Sequence, residues 1–210
     1  MSIPDRLLSG YRRFRSDRFP GESERFRRLA SGQSPATMVV GCADSRVDPA
    51  TVFSAAPGEL FVVRNVANLV PPPDPAGGYH GTSAALEFAV TVLGVSDIVV
   101  LGHGLCGGVA ASLAAAGRSP AGDYIAPWVA LLDAPREAVL ADPEIADASA
   151  RQRALEFLGI RQSLANLGRF PFVRAAMDAD RLRLHGAWFS IAEGVLHWQD
   201  GETGAFRAVD

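Results

Sequence analysis

Two cysteines, a histidine and an aspartate stand at spacings that suit a metal ion. Cys42 and Asp44 lie two apart in Cys42-Ala43-Asp44-Ser45-Arg46, and His103 and Cys106 lie three apart in His103-Gly104-Leu105-Cys106. Thiolate and imidazole are the usual ligands of zinc, and the i, i+3 spacing lets a loop residue and a first-turn helix residue point at one centre. Neither pair means much alone: Cys42 could be an inert buried thiol, and His103 a satisfied imidazole in a glycine-rich turn. Together they use both cysteines of the chain. The joint reading is a zinc site, one Zn2+ per chain, with Cys42, Asp44, His103 and Cys106 as its ligand candidates. Arg46 can clamp the Asp44 carboxylate with two parallel hydrogen bonds, a task lysine does less well. A predicted helix start at Cys106 favours a thiolate there through free amides and the helix dipole.

For these residues to meet, the elements beneath them must be neighbours. Met38 to Gly41 and Ile98 to Leu101 are short apolar, β-branched runs that read as buried parallel strands, each delivering polar residues past its carboxyl end. In an open α/β sheet that edge is where ligands bind. Glu59 to Val63 reads as another strand, with Arg64-Asn65-Val66-Ala67-Asn68 as its exit loop, and Leu182 to Phe189 and Val195 to Trp198 as late strands joined across Ala192-Glu193-Gly194. Helical spacing is seen over Ile3 to Phe19, stopped by Pro20-Gly21, and again from Glu22 or Ser23 to Gly32. A short helix is expected from Asp48-Pro49 to Ala55, and longer ones over Thr82 to Leu93, Tyr124 to Leu132, Ala148 to Leu167 and Pro171 to Met177. Pro71 to Gly78 reads as a linker. Alternating strands and helices predict an α/β fold: a mostly parallel central sheet of about four to five strands, flanked by helices.

A chain of 210 residues, 48% hydrophobic, can bury one good core. The expected organisation is a single domain over 1–210, with an N-terminal helical arm (1–34), a zinc-site core (35–120) and a C-terminal part (121–210). Eight arginines against four acids in residues 1–30 mark a solvated or subunit-facing arm, while a net charge of -3 argues against nucleic-acid binding. All 20 Lys+Arg positions are arginine, which excludes Schiff-base chemistry and the lysine of a phosphate loop. The most apolar stretch, Ala84 to Leu101, is broken by Glu87 and Asp97, and the first residues lack an apolar signal core. A cytoplasmic protein with no membrane partner is expected, in which two cysteines serve a metal rather than a disulfide.

One competing pattern overlaps the second ligand pair. Gly102-His103-Gly104-Leu105-Cys106-Gly107 fits the G-x-G-x-x-G fingerprint of dinucleotide binding. The acid nearest the required distance, Asp123, follows a Pro/Gly stretch rather than a second strand, so the ribose ligand is missing.

The segments Cys42-Ala43-Asp44-Ser45-Arg46-Val47 and Gly102-His103-Gly104-Leu105-Cys106-Gly107-Gly108 resemble the two signatures of the β-class carbonic anhydrases, with plant-like features. The likeness runs through Pro57 to Asn68, covers about Leu7 to Ala116 well and loosens over the last third. It implies reversible hydration of carbon dioxide to bicarbonate and a proton, with zinc on Cys42, His103 and Cys106. Asp44 is then either a fourth ligand or, held by Arg46, the group that orients a zinc-bound hydroxide. The resemblance also implies a substrate pocket built from Gln33, Phe61, Val66, Phe88 and Gly107. Some of these residues would reach over from a neighbouring subunit of a homodimer or dimer of dimers, on which the N-terminal arm packs. A bicarbonate-regulated subgroup carries a Trp, an Arg and a Tyr at a second anion pocket; here Arg64 matches, but Val39 and Phe189 replace the other two, so such regulation is not expected. A relative that hydrolyses carbon disulfide or carbonyl sulfide would share all four ligand candidates and remains the alternative activity.

Overall fold

The computed structural model describes residues 3–74, 80–115 and 122–209. The chain divides into two compact units, Met1–Ser34 and Pro35–Asp210.

The first unit is helical. Helix α1 (Asp5–Arg13) runs into a π-helical turn (Phe14–Arg18), and α2 (Phe19–Leu29) follows without a break. Pro20-Gly21 therefore does not stop the helix as expected. Pro20 falls at the start of α2, directly after the π-helical turn, where the fixed φ of proline suits a first helical turn. Phe14, Phe19 and Phe26 meet in a small aromatic cluster with centroids 5.6 to 5.9 Å apart. No residue of either helix is buried.

The second unit is a six-stranded sheet with helices around it. In chain order it holds β1 (Thr37–Cys42), α3 (Pro49–Val52), β2 (Leu60–Asn65), α4 (Gly81–Glu87), β3 (Asp97–His103) and α5 (Gly107–Ala114). Then come α6 (Ile125–Val129), α7 (Asp133–Ala141), α8 (Ala148–Leu167), α9 (Pro171–Asp178), β4 (Arg183–Ser190), β5 (Val195–Gln199) and β6 (Phe206–Ala208). The strand order is β2-β1-β3-β4-β5-β6. The first four are parallel, and β4, β5 and β6 form an antiparallel meander. The α/β architecture is as expected; the sheet has six strands instead of four to five, because the three-residue β6 is too short to show a periodicity. Helix α7 was also not anticipated; Pro135 stands in its first turn, a position that proline tolerates. The expected linker at 71–78 is described as far as Asp74, and its remainder lies outside the described residues.

β1 and β3 are the central strands, and their apolar runs are buried on both faces. Met38, Val40, Ile98 and Val100 pack against Leu86, Ile160 and Val173 from α4, α8 and α9. Val39, Val99 and Leu101 point to the other face, beside Ala187 and Trp198 of the same sheet and in one cluster with Val47 and Phe53. Each fully buried aliphatic side chain of this kind contributes about 1.5–3 kcal/mol. Alternation on two packed faces fixes the register, since a slip of one residue would exchange every side chain between faces. β1 and β3 pair in parallel with Gly41 opposite Leu101, so the segments that carry Cys42 and His103 leave the same sheet edge side by side. Past Leu93 the chain turns through Gly94 at φ 66°, a left-handed conformation that suits glycine.

Candidate metal centre

Cys42 is the last residue of β1 and His103 the last of β3, and Cys106 caps the start of α5. Cys42 Sγ and Cys106 Sγ are 3.9 Å apart, both buried. Together with His103 their ligand atoms lie within 4.8 Å of one another. Two thiolates each roughly 2.3 Å from one tetrahedral ion would sit about 3.8 Å apart, so the sulfurs already have the spacing such an ion requires.

His103 adds a second sign. Its Nδ1 lies 2.9 Å from the Gly104 carbonyl, which can only accept, so Nδ1 carries the hydrogen and Nε2 keeps its lone pair. Nε2 is buried and has no hydrogen-bond partner among the described residues. A buried acceptor without a donor is costly unless something outside the protein meets it. The thiols lie in an apolar cluster with Ala67, Leu69, Val109 and Leu155, where an unpaired anion is disfavoured. The hydrogen bond from Cys106 is the main cause that lowers the Cys42 pKa, outweighing burial and aided by His103; that same bond, with burial, raises Cys106. The thiolate this favours at Cys42 is met by the Cys106 thiol, by His103 and by the backbone at Asp44 and Ala67, and a divalent cation would complete the set.

Asp44 stands outside this group of three. Its carboxylate is held by Arg46 through Nε to Oδ1 (2.9 Å), Nη2 to Oδ2 (2.7 Å) and the backbone amide to Oδ1 (2.9 Å). Oδ2 lies 3.9 Å from His103 Nε2. The Arg46 hydrogen bonds hold the Asp44 carboxyl far below the usual carboxylate range, so it stays ionised.

The turn that carries Asp44 is braced from β2. Arg64 donates to the carbonyls of Cys42 (2.8 Å), Asp44 (2.6 Å) and Val47 (3.2 Å). Beyond β2 the exit loop passes Ala67 (φ 64°) and Asn68 (φ 49°), non-glycine residues in the left-handed region. Asn65 stabilises that path through a reciprocal pair of bonds with the Leu69 backbone, at 2.8 and 2.9 Å. The glycines of the second signature have packing roles. A Cβ on Gly102 would lie 2.7 Å from Ile160 Cδ1, one on Gly104 3.0 Å from Trp188, and one on Gly108 2.7 Å from Val66 Cγ1. Gly102 and Gly104, which open the dinucleotide-like pattern, therefore admit protein side chains where a phosphate would have to approach.

The substrate residues inferred from the resemblance that belong to the second unit are spread along the sheet. Val66 follows β2 directly and packs beside Gly108, and its carbonyl accepts a 2.7 Å bond from the Trp128 indole. Gly107 opens α5 with free space where a side chain would be. Phe61 stacks on Phe88 at 5.9 Å, but it pairs with Met38, four residues before Cys42 along the strand, which is about 13 Å from the cluster at 3.3 Å per residue. Gln33 is an exposed residue of the first unit.

Sequence reasoning missed Glu156. This α8 residue is 4% exposed, and its Oε1 accepts from the Cys106 amide (3.0 Å) and Gln152 (3.2 Å), its Oε2 from the Trp188 indole (3.1 Å). Burial raises its pKa, against the pull of those donors. A carboxylate inside Ala154-Leu155-Glu156-Phe157-Leu158 was the available signal, because an acid amid apolar neighbours needs a reason to be there.

Residues 37–196 match the family model described as carbonic anhydrase. A carbonic anhydrase of Pseudomonas aeruginosa is 41% identical over 202 residues, covering 95% of this chain and 89% of that one. Among solved structures, the β-carbonic anhydrase CcaA superposes with a TM-score of 0.92 at 31% identity, over 99% of this chain and 100% of that one. One of two tetrameric β-carbonic anhydrases from Sordaria macrospora gives 0.74 at 30% identity, over 97% and 95%. With a likeness of this extent, and with the thiol and imidazole donors converging at one sheet edge, the chain belongs to the β-class carbonic anhydrases.

Proposed function

We propose that this chain catalyses the reversible hydration of carbon dioxide to bicarbonate and a proton, with one zinc ion on Cys42, His103 and Cys106. The observation that carries the reading is the donor set itself: two buried sulfurs 3.9 Å apart beside a buried imidazole nitrogen with no hydrogen-bond partner among the described residues. Zinc in a site with three protein ligands supplies Lewis acidity that brings the pKa of water to about 7.

Asp44 and Arg46 do the orienting. Ionised and held on three hydrogen bonds, Asp44 can only accept. It accepts a hydrogen bond from the attacking water and thereby turns the oxygen lone pair toward the carbon of carbon dioxide. Arg46 keeps the carboxylate in that orientation and prevents it from collecting a proton. The apolar surroundings of the thiols suit an uncharged substrate. Val66 and Gly107 stand at the same sheet edge and can border the pocket; Phe61, Phe88 and Gln33 would serve a site of a second copy. A homodimer or dimer of dimers is supported by the N-terminal helices, which bury nothing and leave Leu7 and Tyr11 exposed. Among the described residues no helix is long and apolar enough to cross a membrane, which supports action in an aqueous compartment.

The test is stopped-flow hydration on zinc-loaded protein beside metal analysis. The wild type should hydrate carbon dioxide with one zinc per chain, at a rate that rises with pH through about 7. Cys106→Ala should lose zinc and activity by orders of magnitude; equal rates in the two proteins would overturn the assignment.

A further inference from the structure

The Leu105–Cys106 peptide is held at both ends. Its carbonyl accepts a 3.1 Å bond from Arg46 Nη2, the same nitrogen that holds Asp44 Oδ2, and its N–H donates to Glu156 Oε1 at 3.0 Å. Leu105 itself has φ 57°, a left-handed conformation disfavoured for a branched side chain, and is 62% exposed. Its own packing therefore does little to fix it, and the strain persists only if neighbouring groups over-determine the backbone. One helical turn from Glu156, Gln152 reaches the Cys106 carbonyl at 3.4 Å, so α8 addresses the ligand residue on both sides of its Cα. All three groups that approach Glu156 are N–H donors: an amide, a carboxamide and an indole. Both carboxylate oxygens are thus needed as acceptors, and a 20-residue helix carries them.

We infer that Glu156 is a positioning residue: by holding the Leu105–Cys106 peptide against Arg46, it sets the direction of the Cys106 thiolate and of the Asp44–Arg46 pair together. The inference rests on the zinc reading proposed above and adds a part that acts through another residue's backbone. Groups that orient metal ligands in this way typically change metal affinity 10- to 100-fold when removed.

The experiment compares zinc-loaded wild type with Glu156→Ala, Glu156→Gln, the double variant Glu156→Gln/Trp188→Phe, and Leu167→Ala. Leu167 is a buried residue of the same helix, three turns away. Zinc affinity is read by competition with a chromogenic chelator, ligand geometry by the thiolate-to-metal absorption of the cobalt-substituted protein, and folding by thermal melting. Glu156→Ala should bind zinc about 10- to 100-fold more weakly, with an altered cobalt spectrum. Glu156→Gln should be nearly as poor, because its NH2 would face the Trp188 N–H. Removing that indole donor in the double variant frees the Gln oxygen for the Cys106 amide and should bring affinity back to within about threefold of wild type. Leu167→Ala should melt lower yet bind zinc as the wild type does.

Affinity within twofold of wild type in Glu156→Ala would overturn the inference, as would an equal loss in Leu167→Ala. Should Glu156→Ala not fold, the contrast between Glu156→Gln and the double variant decides, and no recovery of affinity in the latter counts against the positioning role. Altered zinc affinity with a wild type that does not hydrate carbon dioxide would leave Glu156 in place and remove the proposed reaction. Hydration by the wild type with unaltered affinity in the variants would do the reverse.

Discussion

At the scale of single residues, the centre is a division of labour between groups that donate electrons and groups that fix them. Asp44 does not join the three donors and leans on Arg46 by two side-chain bonds of 2.9 and 2.7 Å. Charge-assisted pairs of this geometry are about twice as strong as neutral ones. Asp44→Asn keeps the shape but replaces an acceptor-only edge by one that can donate toward Arg46. We expect kcat for hydration to fall about 10²-fold or more, within the range for a lost proton-orienting group, with zinc content unchanged in metal analysis. The cluster of Cys42, His103 and Cys106, with Asp44 and Arg46 beside it, was legible in the sequence because each residue sits in a short signature where residue type and spacing are unusual. Glu156 was not legible as part of the site. Its partner is a backbone amide fifty residues earlier, and no local spacing encodes a contact of that kind.

At the scale of elements, what matters is how closely the exit loops of β2 and β3 approach. Gly108 is the point of contact, since a Cβ there would stand 2.7 Å from Val66 Cγ1 and 2.9 Å from Ala67 Cβ. Gly108→Ala must push the β2 exit loop away from α5, and overpacking of this sort costs about 1–3 kcal/mol. Chemical denaturation should register that loss, together with weaker zinc binding. A second prediction concerns the start of β3, where Asp97 accepts from Arg183 (3.0 and 3.1 Å) and lies 2.8 Å from His185 Nε2. Burial alone would raise its pKa, but hydrogen bonds from Arg183, His185 and Ser96 outweigh it and bring it to about 2. A carboxyl depressed in the folded state stabilises above its unfolded pKa, and that contribution fades as pH falls from about 4 through about 2. Asp97→Asn should therefore lose about 1–2 kcal/mol at neutral pH and nothing at the acid end of a denaturation series. The strands were legible because buried β-branched runs have few alternatives; Pro20 misled because proline is tolerated in a first helical turn, and β6 was missed because a three-residue edge strand leaves little periodic trace.

At the scale of the whole molecule, the donor set exists only when the sheet does, so metal and fold should stabilise each other. Zinc at about 1,000 times its Kd would add about 4 kcal/mol, or roughly 10 °C of Tm for a domain of this size. Chelation should remove that increment in calorimetry, and Cys106→Ala should show no increment to remove. Cys42 and Cys106 are 64 residues apart in the chain, and they are joined by parallel strands, whose pairing is slow to nucleate because a long loop must close first. Bonds to an ion captured after that closure are absent from the rate-limiting barrier on the way in and must break on the way out. Metal should therefore leave the refolding rate nearly untouched while lengthening the lifetime of the native state.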